Sequence, residues 1–386
     1  MSRRPRQRRA RGASRIGARY EAVVGPIAHG GHCVVRLPAP EARVVFVRHA
    51  IPGERVVLEI TEGTDGDRFW RGDAVEVLEP SPDRVPAPCR YAGPGLCGGC
   101  DFQHVDLDRQ RALKADVVRE QLSRLARIDR EVVVEAVLGD DPALARGLHW
   151  RTRQRYVELP DGGRAMRKHR SHDLVPVETC LIEAPRSQSG EPSQHVALGR
   201  TFEVADGGFW QVHPGAPDVL VTTVLEMLRP APGERCLDLY AGVGLFARFL
   251  LDAVGDTGRV VAVEGDRTAS ALSAVNCPGA EVRAGDVAEV LASPSPDSSP
   301  PDSSVDGPFD LVVLDPPREG ARRPVVEAVV ARTPRAVAYV ACDPAALARD
   351  VATFAELGYE LRDLRAFDLF PMTHHVECVA LLEPAR

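Results

Sequence analysis

Cys342, in AVAYVACDPAALARD (336–350), and Glu377, in FPMTHHVECVALL (370–382), supply a nucleophile and a base to one reaction. Upstream, LDLYAGVGLFA (237–247) sets Asp238, Gly242 and Gly244 in a D-x-x-x-G-x-G turn between an apolar strand and a helix. Glycine lets the backbone approach a ligand closely there, and in open α/β sheets the ligand sits beyond the carboxyl ends of the strands. Glu264 ends the next strand, 26 residues past Asp238, where a carboxylate can accept hydrogen bonds from both ribose hydroxyls. The G-x-G-x-x-G spacing of a nicotinamide site is missing, which favours S-adenosylmethionine. A methyl-donor site, a thiol and a carboxylate in this order imply carbon methylation of a base.

LVVLDPPREG (311–320) bears on which base. An aromatic after Asp-Pro-Pro marks amino-group methylation, and Arg318 stands there instead. Cytosine-C5 enzymes carry a cysteine directly after this strand, and none follows Pro316 or Pro317. The thiol comes one strand later, which favours uridine. To be attacked, the base must leave its stack, and RNA loops are already partly unstacked.

CRYAGPGLCGGC (89–100) gives Cys89, Cys97 and Cys100, and Cys180 follows in VPVETCLIEAP. Nine cysteines in a chain read as cytoplasmic argue against a disulfide framework. One Cys-x-x-Cys plus two remote cysteines is ambiguous by spacing between zinc and iron–sulfur.

These residues need elements to hold them. From about 215, near-continuous apolar strands alternate with helices, the pattern of a parallel sheet covered on both faces. Residues 20–79 read as five or so short strands punctuated by Gly and Pro, which suits a small barrel of the OB type. Residues 105–130 carry Leu113, Val117, Gln121, Leu122 and Leu125 near helical spacing, an amphipathic helix packing on the catalytic part. The expected division is a basic arm (1–19), the barrel (20–79), a β-rich central domain with the cysteines (80–209) and the α/β domain (210–386), interrupted by a Pro/Ser/Asp-rich insertion (293–308).

The net charge is −7, yet residues 1–19 hold eight Arg and no acid, leaving −15 on the rest. A basic arm on an acidic body suits a polyanion, because each phosphate neutralised releases counterions. No apolar run reaches spanning length, so no membrane partner and a cytoplasmic location are expected. The chain is expected to act as a monomer.

At these residues the chain resembles the RNA uridine-C5 methyltransferase family, over nearly its whole length from about residue 20. The resemblance implies an α/β fold of the class I S-adenosylmethionine-dependent, Rossmann-like type. It implies that Gln211 in FWQVHPG, Tyr240, Glu264, Asp286 and Asp315 hold the donor. It further implies that Cys342 adds to C6 of uracil and that Glu377 removes the C5 proton. FVRHAIPGERV (46–56) resembles the TRAM barrel, and family members with CGGC bind a four-iron, four-sulfur cluster through the positions of Cys89, Cys97, Cys100 and Cys180. Barrel and cluster together point to large-subunit ribosomal RNA, with transfer RNA as the alternative. Two departures stand out: Leu245 replaces a usual Asn, and Ala-Cys-Asp-Pro replaces Ser-Cys-Asn-Pro. Asp343 beside the thiol would raise its pKa if the charges are close. These two residues are the only support for a rival reading, a non-catalytic RNA-binding assembly factor on a decayed scaffold.

Overall fold

A computed structural model describes residues 12–137, 142–185, 194–292 and 305–385. Most of the Arg-rich arm (1–11) and of the insertion (293–304) lies outside the described residues. The chain divides into two compact units, Met1–Leu113 with Gln154–Ile182 and Pro371–His374, and Lys114–Arg153 with Glu183–Phe370 and His375–Arg386. The cysteines thus share a unit with the N-terminal strands, while much of the stretch expected to be a central domain belongs with the α/β part.

In the first unit, β1 (Arg19–Val23), β2 (Ile27–Ala28), β3 (His32–Arg36), β4 (Val44–Arg48), β5 (Arg55–Glu62) and β6 (Phe69–Glu79) form one sheet in the order β1-β5-β6-β4-β3-β2. All pairings are antiparallel except β4 with β6. The register of β5 on β6 shifts three times, and such irregularities bend a strand and tighten its twist. Val45, Val47, Val56, Leu58 and Ile60 are buried and alternate with more exposed neighbours, as a sheet with one covered face requires.

The helix predicted over 105–130 is α1 (Leu107–Gln121), followed by a π-type turn over Leu122–Ala126 and ended by Arg127 at φ 59°. It is shorter than expected because a left-handed residue stops it. Beyond it lie β7 (Val134–Ala136), a three-stranded sheet of β8 (Val157–Glu158), β9 (Arg164–Arg167) and β10 (Leu174–Pro176), and the hairpin β11 (Gln194–Ala197) with β12 (Arg200–Glu203).

The second unit continues through α2 (Ala216–Leu228), β13 (Arg235–Leu239), α3 (Leu245–Val254), β14 (Arg259–Glu264), α4 (Arg267–Asn276), β15 (Glu281–Ala284) and α5 (Val287–Leu291). Then follow β16 (Leu311–Leu314), α6 (Arg322–Val330), β17 (Ala336–Ala341), α7 (Pro344–Glu356), β18 (Tyr359–Asp368) and β19 (Glu377–Pro384). Its eight-stranded sheet runs β15-β14-β13-β16-β17-β19-β18-β7. The first five of these are parallel, as the sequence pattern predicts. β19 departs from it and runs antiparallel to both β17 and β18. The link from β18 to β19 is too short for a crossover helix, and short links join antiparallel strands. β7 was not foreseen in this sheet; it pairs with β18 in parallel.

Two apolar layers cover the sheet. Leu237, Val261, Val312, Leu347 and Phe354 belong to one, and Cys236, Val260, Val313, Leu220 and Phe246 to the other. Ala115, Val118 and Leu122 join the first layer, which explains why the later part of α1 is amphipathic. Lys114, fully buried, donates to Asp368 at 2.5 Å and to the Phe370 carbonyl at 3.0 Å. Breaking such a pair would cost about 3–5 kcal/mol, because one charge would be left buried alone. No helix among the described residues is long and apolar enough to cross a membrane.

Candidate active site

The strand order reverses direction at β13, with β14 on one side and β16 on the other, so a crevice opens beyond their carboxyl ends. Asp238 lies in β13, Glu264 ends β14, Asp315 follows β16 and Cys342 follows β17. Glu377 opens β19, whose antiparallel direction brings its first residue to the same edge.

The turn from β13 into α3 holds Tyr240 at φ 62°, Gly242 at φ 56° and Gly244 at φ 91°. A left-handed conformation costs a non-glycine residue about 1–2 kcal/mol, so the surroundings must hold Tyr240 there. The two glycines answer different demands. A Cβ on Gly244 would lie 2.4 Å from Cys277 Sγ, so that position is small because α4 packs on it. A Cβ on Gly242 would meet nothing within 4 Å, which leaves open space beside the turn. Leu245 is buried in the apolar layer that includes α3.

Asp238 is fully buried and accepts a hydrogen bond from the Ala247 amide at 2.8 Å, while its Oδ1 has no partner. Burial, then the charges of Asp315 and Glu264, push its carboxyl up to about 8. Asp315 is pushed up to about 7 by burial and by Glu264. Carboxyls that resist one another's ionisation suit a cationic ligand such as a sulfonium with an ammonium. Glu264 here accepts from the Gly242 amide at 2.8 Å and the Asp266 amide at 2.7 Å, so it also closes the turn. Asp286 caps α5 through one oxygen, accepting from Ala288 and Glu289 at 2.9 and 3.1 Å. Gln211 is half-buried between Trp210, which stacks on His195 at 5.0 Å, and Val212, whose carbonyl accepts from the Thr152 amide at 2.9 Å.

β17 and β19 pair from Val337↔Leu382 to Ala341↔Cys378, and one further step of that register sets Cys342 opposite Glu377. Cys342 is half-buried; burial and then Glu377 push its thiol up to about 12, and Arg318 pulls it down. Glu377 is buried, and burial followed by Asp315 holds its carboxyl well above the usual range, again against Arg318. Asp343 also raises the thiol but is the weakest contributor, since it caps α7 by accepting from the Ala346 amide at 2.8 Å. The role of Arg318 was not legible in the sequence. Its guanidinium lies 3.3 Å from His375 Nε2, and His375 packs edge-on against Phe370 at 5.8 Å.

In the first unit, Cys89, Cys97, Cys100 and Cys180 line one concavity with Tyr91, Gln103 and Met166. Burial and the neighbouring Cys180 raise both the Cys97 and the Cys100 thiols. Among the described residues, no three His, Cys, Asp or Glu side chains gather as a single metal ion requires. The expectation of a bound iron–sulfur cluster therefore has no support from single-ion geometry.

An open sheet with this strand order, a glycine turn under a carboxylate-lined crevice and reactive groups at the same edge define a Rossmann-like, S-adenosylmethionine-dependent methyltransferase. A family model described as tRNA (Uracil-5-)-methyltransferase matches residues 305–385. An uncharacterized RNA methyltransferase of Streptomyces avermitilis is 43% identical over 96% of this chain and 99% of its own length. The 23S rRNA (uracil(1939)-C(5))-methyltransferase RlmD of Pseudomonas fluorescens is 29% identical over 95% of each. In fold, the chain is similar to the tRNA (uracil-54, C5)-methyltransferase of Pyrococcus abyssi, solved with S-adenosyl-L-homocysteine, with a TM-score of 0.62 and 20% identity over 94% of this chain and 100% of that one. The chain belongs to the RNA uracil-C5 methyltransferase family.

Proposed function

We propose that this enzyme methylates C5 of a uridine in 23S ribosomal RNA, with Cys342 as nucleophile and Glu377 as base. The observation that carries the mechanism is the thiol opposite a buried carboxylate at the ligand edge of the sheet. Uracil C5 is a poor nucleophile by itself. Addition of the Cys342 thiolate to C6 gives C5 the electron density to take a methyl group, and covalent catalysis of this kind replaces one hard step by easier ones. S-adenosylmethionine, when bound, supplies that methyl on a sulfonium sulfur. Asp238, Gly242, Gly244, Glu264, Asp286, Asp315, Tyr240 and Gln211 are the residues that would hold it. Glu377 then takes the C5 proton, the C5–C6 double bond re-forms and the Cys342 sulfur leaves. A carboxyl held above its usual range accepts a proton more readily than an exposed one, which fits Glu377 for this step.

Cys89, Cys97, Cys100 and Cys180 would hold a four-iron, four-sulfur cluster, and four thiols around one concavity suit that group. Its contribution would be a cross-link between distant segments. The six-stranded sheet of the first unit would serve as a TRAM-like RNA-binding barrel. Ribosomal RNA is favoured by the RlmD relative, which matches along its length. Transfer RNA is the second reading, favoured by the description of the family model. Mass-spectrometric mapping of modified uridines in total RNA, with and without the gene, tests both. Loss of one 5-methyluridine from 23S RNA is expected, loss from transfer RNA would select the second reading, and no loss would sink both.

A further inference from the structure

We infer that Asp101 and His374 are positioning residues for Glu377, a latch that fixes the run of chain leading into the base. The inference rests on Glu377 being that base. The cysteine segment and Pro371–His374 belong to the same compact unit, although 270 positions separate them. The Asp101 and Phe102 amides both donate to the Met372 carbonyl, at 2.9 and 3.0 Å. The Met372 amide donates in turn to Gln110 Oε1 at 2.8 Å, and fully buried Gln110 ties back to the Phe102 and Val105 carbonyls. Asp101, itself buried, lies 2.6 Å from His374 Nδ1 and 3.4 Å from Arg48 Nη2.

Met372 is held at φ 66°, a conformation that persists only where neighbours over-determine it. Gly31, at φ 76°, leaves room for His374, since a Cβ there would lie 2.8 Å from His374 Cβ. The segments of Asp101 and Gly31 therefore both meet His374, and Gln110 holds Met372 two residues before it. Three residues later the chain reaches Glu377 and enters β19. His375, next in line, lies instead against Arg318, at 3.3 Å. The latch segment also carries Cys97 and Cys100, so a group held by those thiols would stiffen it.

The chemistry gives the latch a readout of its own. Thiolate addition at C6 and methyl transfer to C5 do not need the base. Only removal of the C5 proton does, with return of its electron pair to the C5–C6 bond and release of sulfur. A displaced Glu377 should therefore stall the enzyme as a covalent RNA adduct on Cys342.

The test compares His374→Ala, Asp101→Asn and Glu377→Gln in the full chain, each given uridine-containing RNA and S-adenosylmethionine. Adduct is read on denaturing gels and methyl transfer by label. Both latch variants are expected to accumulate adduct on ordinary uridine and to lose turnover by about 10²-fold, the scale of a misplacement of about 1 Å. Asp101→Asn keeps the shape of the side chain and serves if His374→Ala does not fold. Adduct in Glu377→Gln with wild-type behaviour in the latch variants overturns the latch alone. Lost turnover without adduct in the latch variants also overturns it. No adduct in Glu377→Gln overturns the base assignment, and the latch falls with it.

Discussion

Cys342 and Glu377 stand across from each other one register step beyond the last paired residues, Ala341 and Cys378, of an antiparallel ladder. Residues directly opposite in such a ladder have Cβ atoms about 4.5–5.5 Å apart, so the strand register brings nucleophile and base within reach of one ring. The spacing suits two groups that act on adjacent atoms of one planar ring. Burial comes first in making both resist ionisation in the resting protein, followed by Glu377 for the thiol and by Asp315 for the carboxyl.

Replacing Cys342 by Ala should abolish methyl transfer to RNA. A 5-fluorouracil-substituted RNA, with donor present, should trap the wild-type protein covalently, because fluorine cannot leave as a proton does. Peptide mass spectrometry should find the adduct on Cys342.

Arg318 opposes the upward shift of the thiol, so Arg318→Met should slow alkylation of Cys342 by iodoacetamide at a fixed pH. In both proteins the rate should climb steadily from pH 7 to 10, since the thiol ionises only toward about 12. A variant that alkylates as fast as wild type would remove Arg318 from the electrostatics of the site.

Gly242 and Gly244 should separate binding from stability. Gly244→Ala drives a methyl group into Cys277 and should cost about 1–3 kcal/mol by urea unfolding. Gly242→Ala meets open space and should lose mainly its backbone preference, about 1–2 kcal/mol, while donor affinity measured by calorimetry falls sharply.

Asp238 and Asp315 are raised to about 8 and about 7, above the usual carboxyl value near 4. Between those limits the folded state holds more protons than the unfolded one, so these two groups lower stability as pH rises from about 4 to 8. Asp238→Asn should flatten that slope in thermal melts. S-adenosylmethionine, carrying a sulfonium, should raise the melting temperature more at pH 8 than at pH 5, and more than neutral-sulfur S-adenosylhomocysteine does.

Serine at Cys89, Cys97, Cys100 or Cys180 should reduce the iron content and visible absorption of protein purified without air. Serine at Cys236, on the opposite unit, should leave both unchanged.

The parallel strands and the glycine turn were legible because apolar runs and D-x-x-x-G-x-G have local causes. The reversed direction of β19 and the arrival of β7 were not, since both depend on which distant edge a short strand meets. The same holds at the site. Cys342, Glu377 and Asp238 announce themselves by type and context. Arg318 read only as a missing aromatic, and nothing in the sequence singled out Asp101; the partners of both lie 57 and 273 positions away. Gly244 was read as clearance for a ligand, whereas its neighbour is Cys277.

β19 is the latest strand in chain order, yet it lies inside the sheet, between β17 and β18. A ribosome that stops early therefore releases a chain with no base and two sticky edges, fit for proteolysis rather than for partial catalysis.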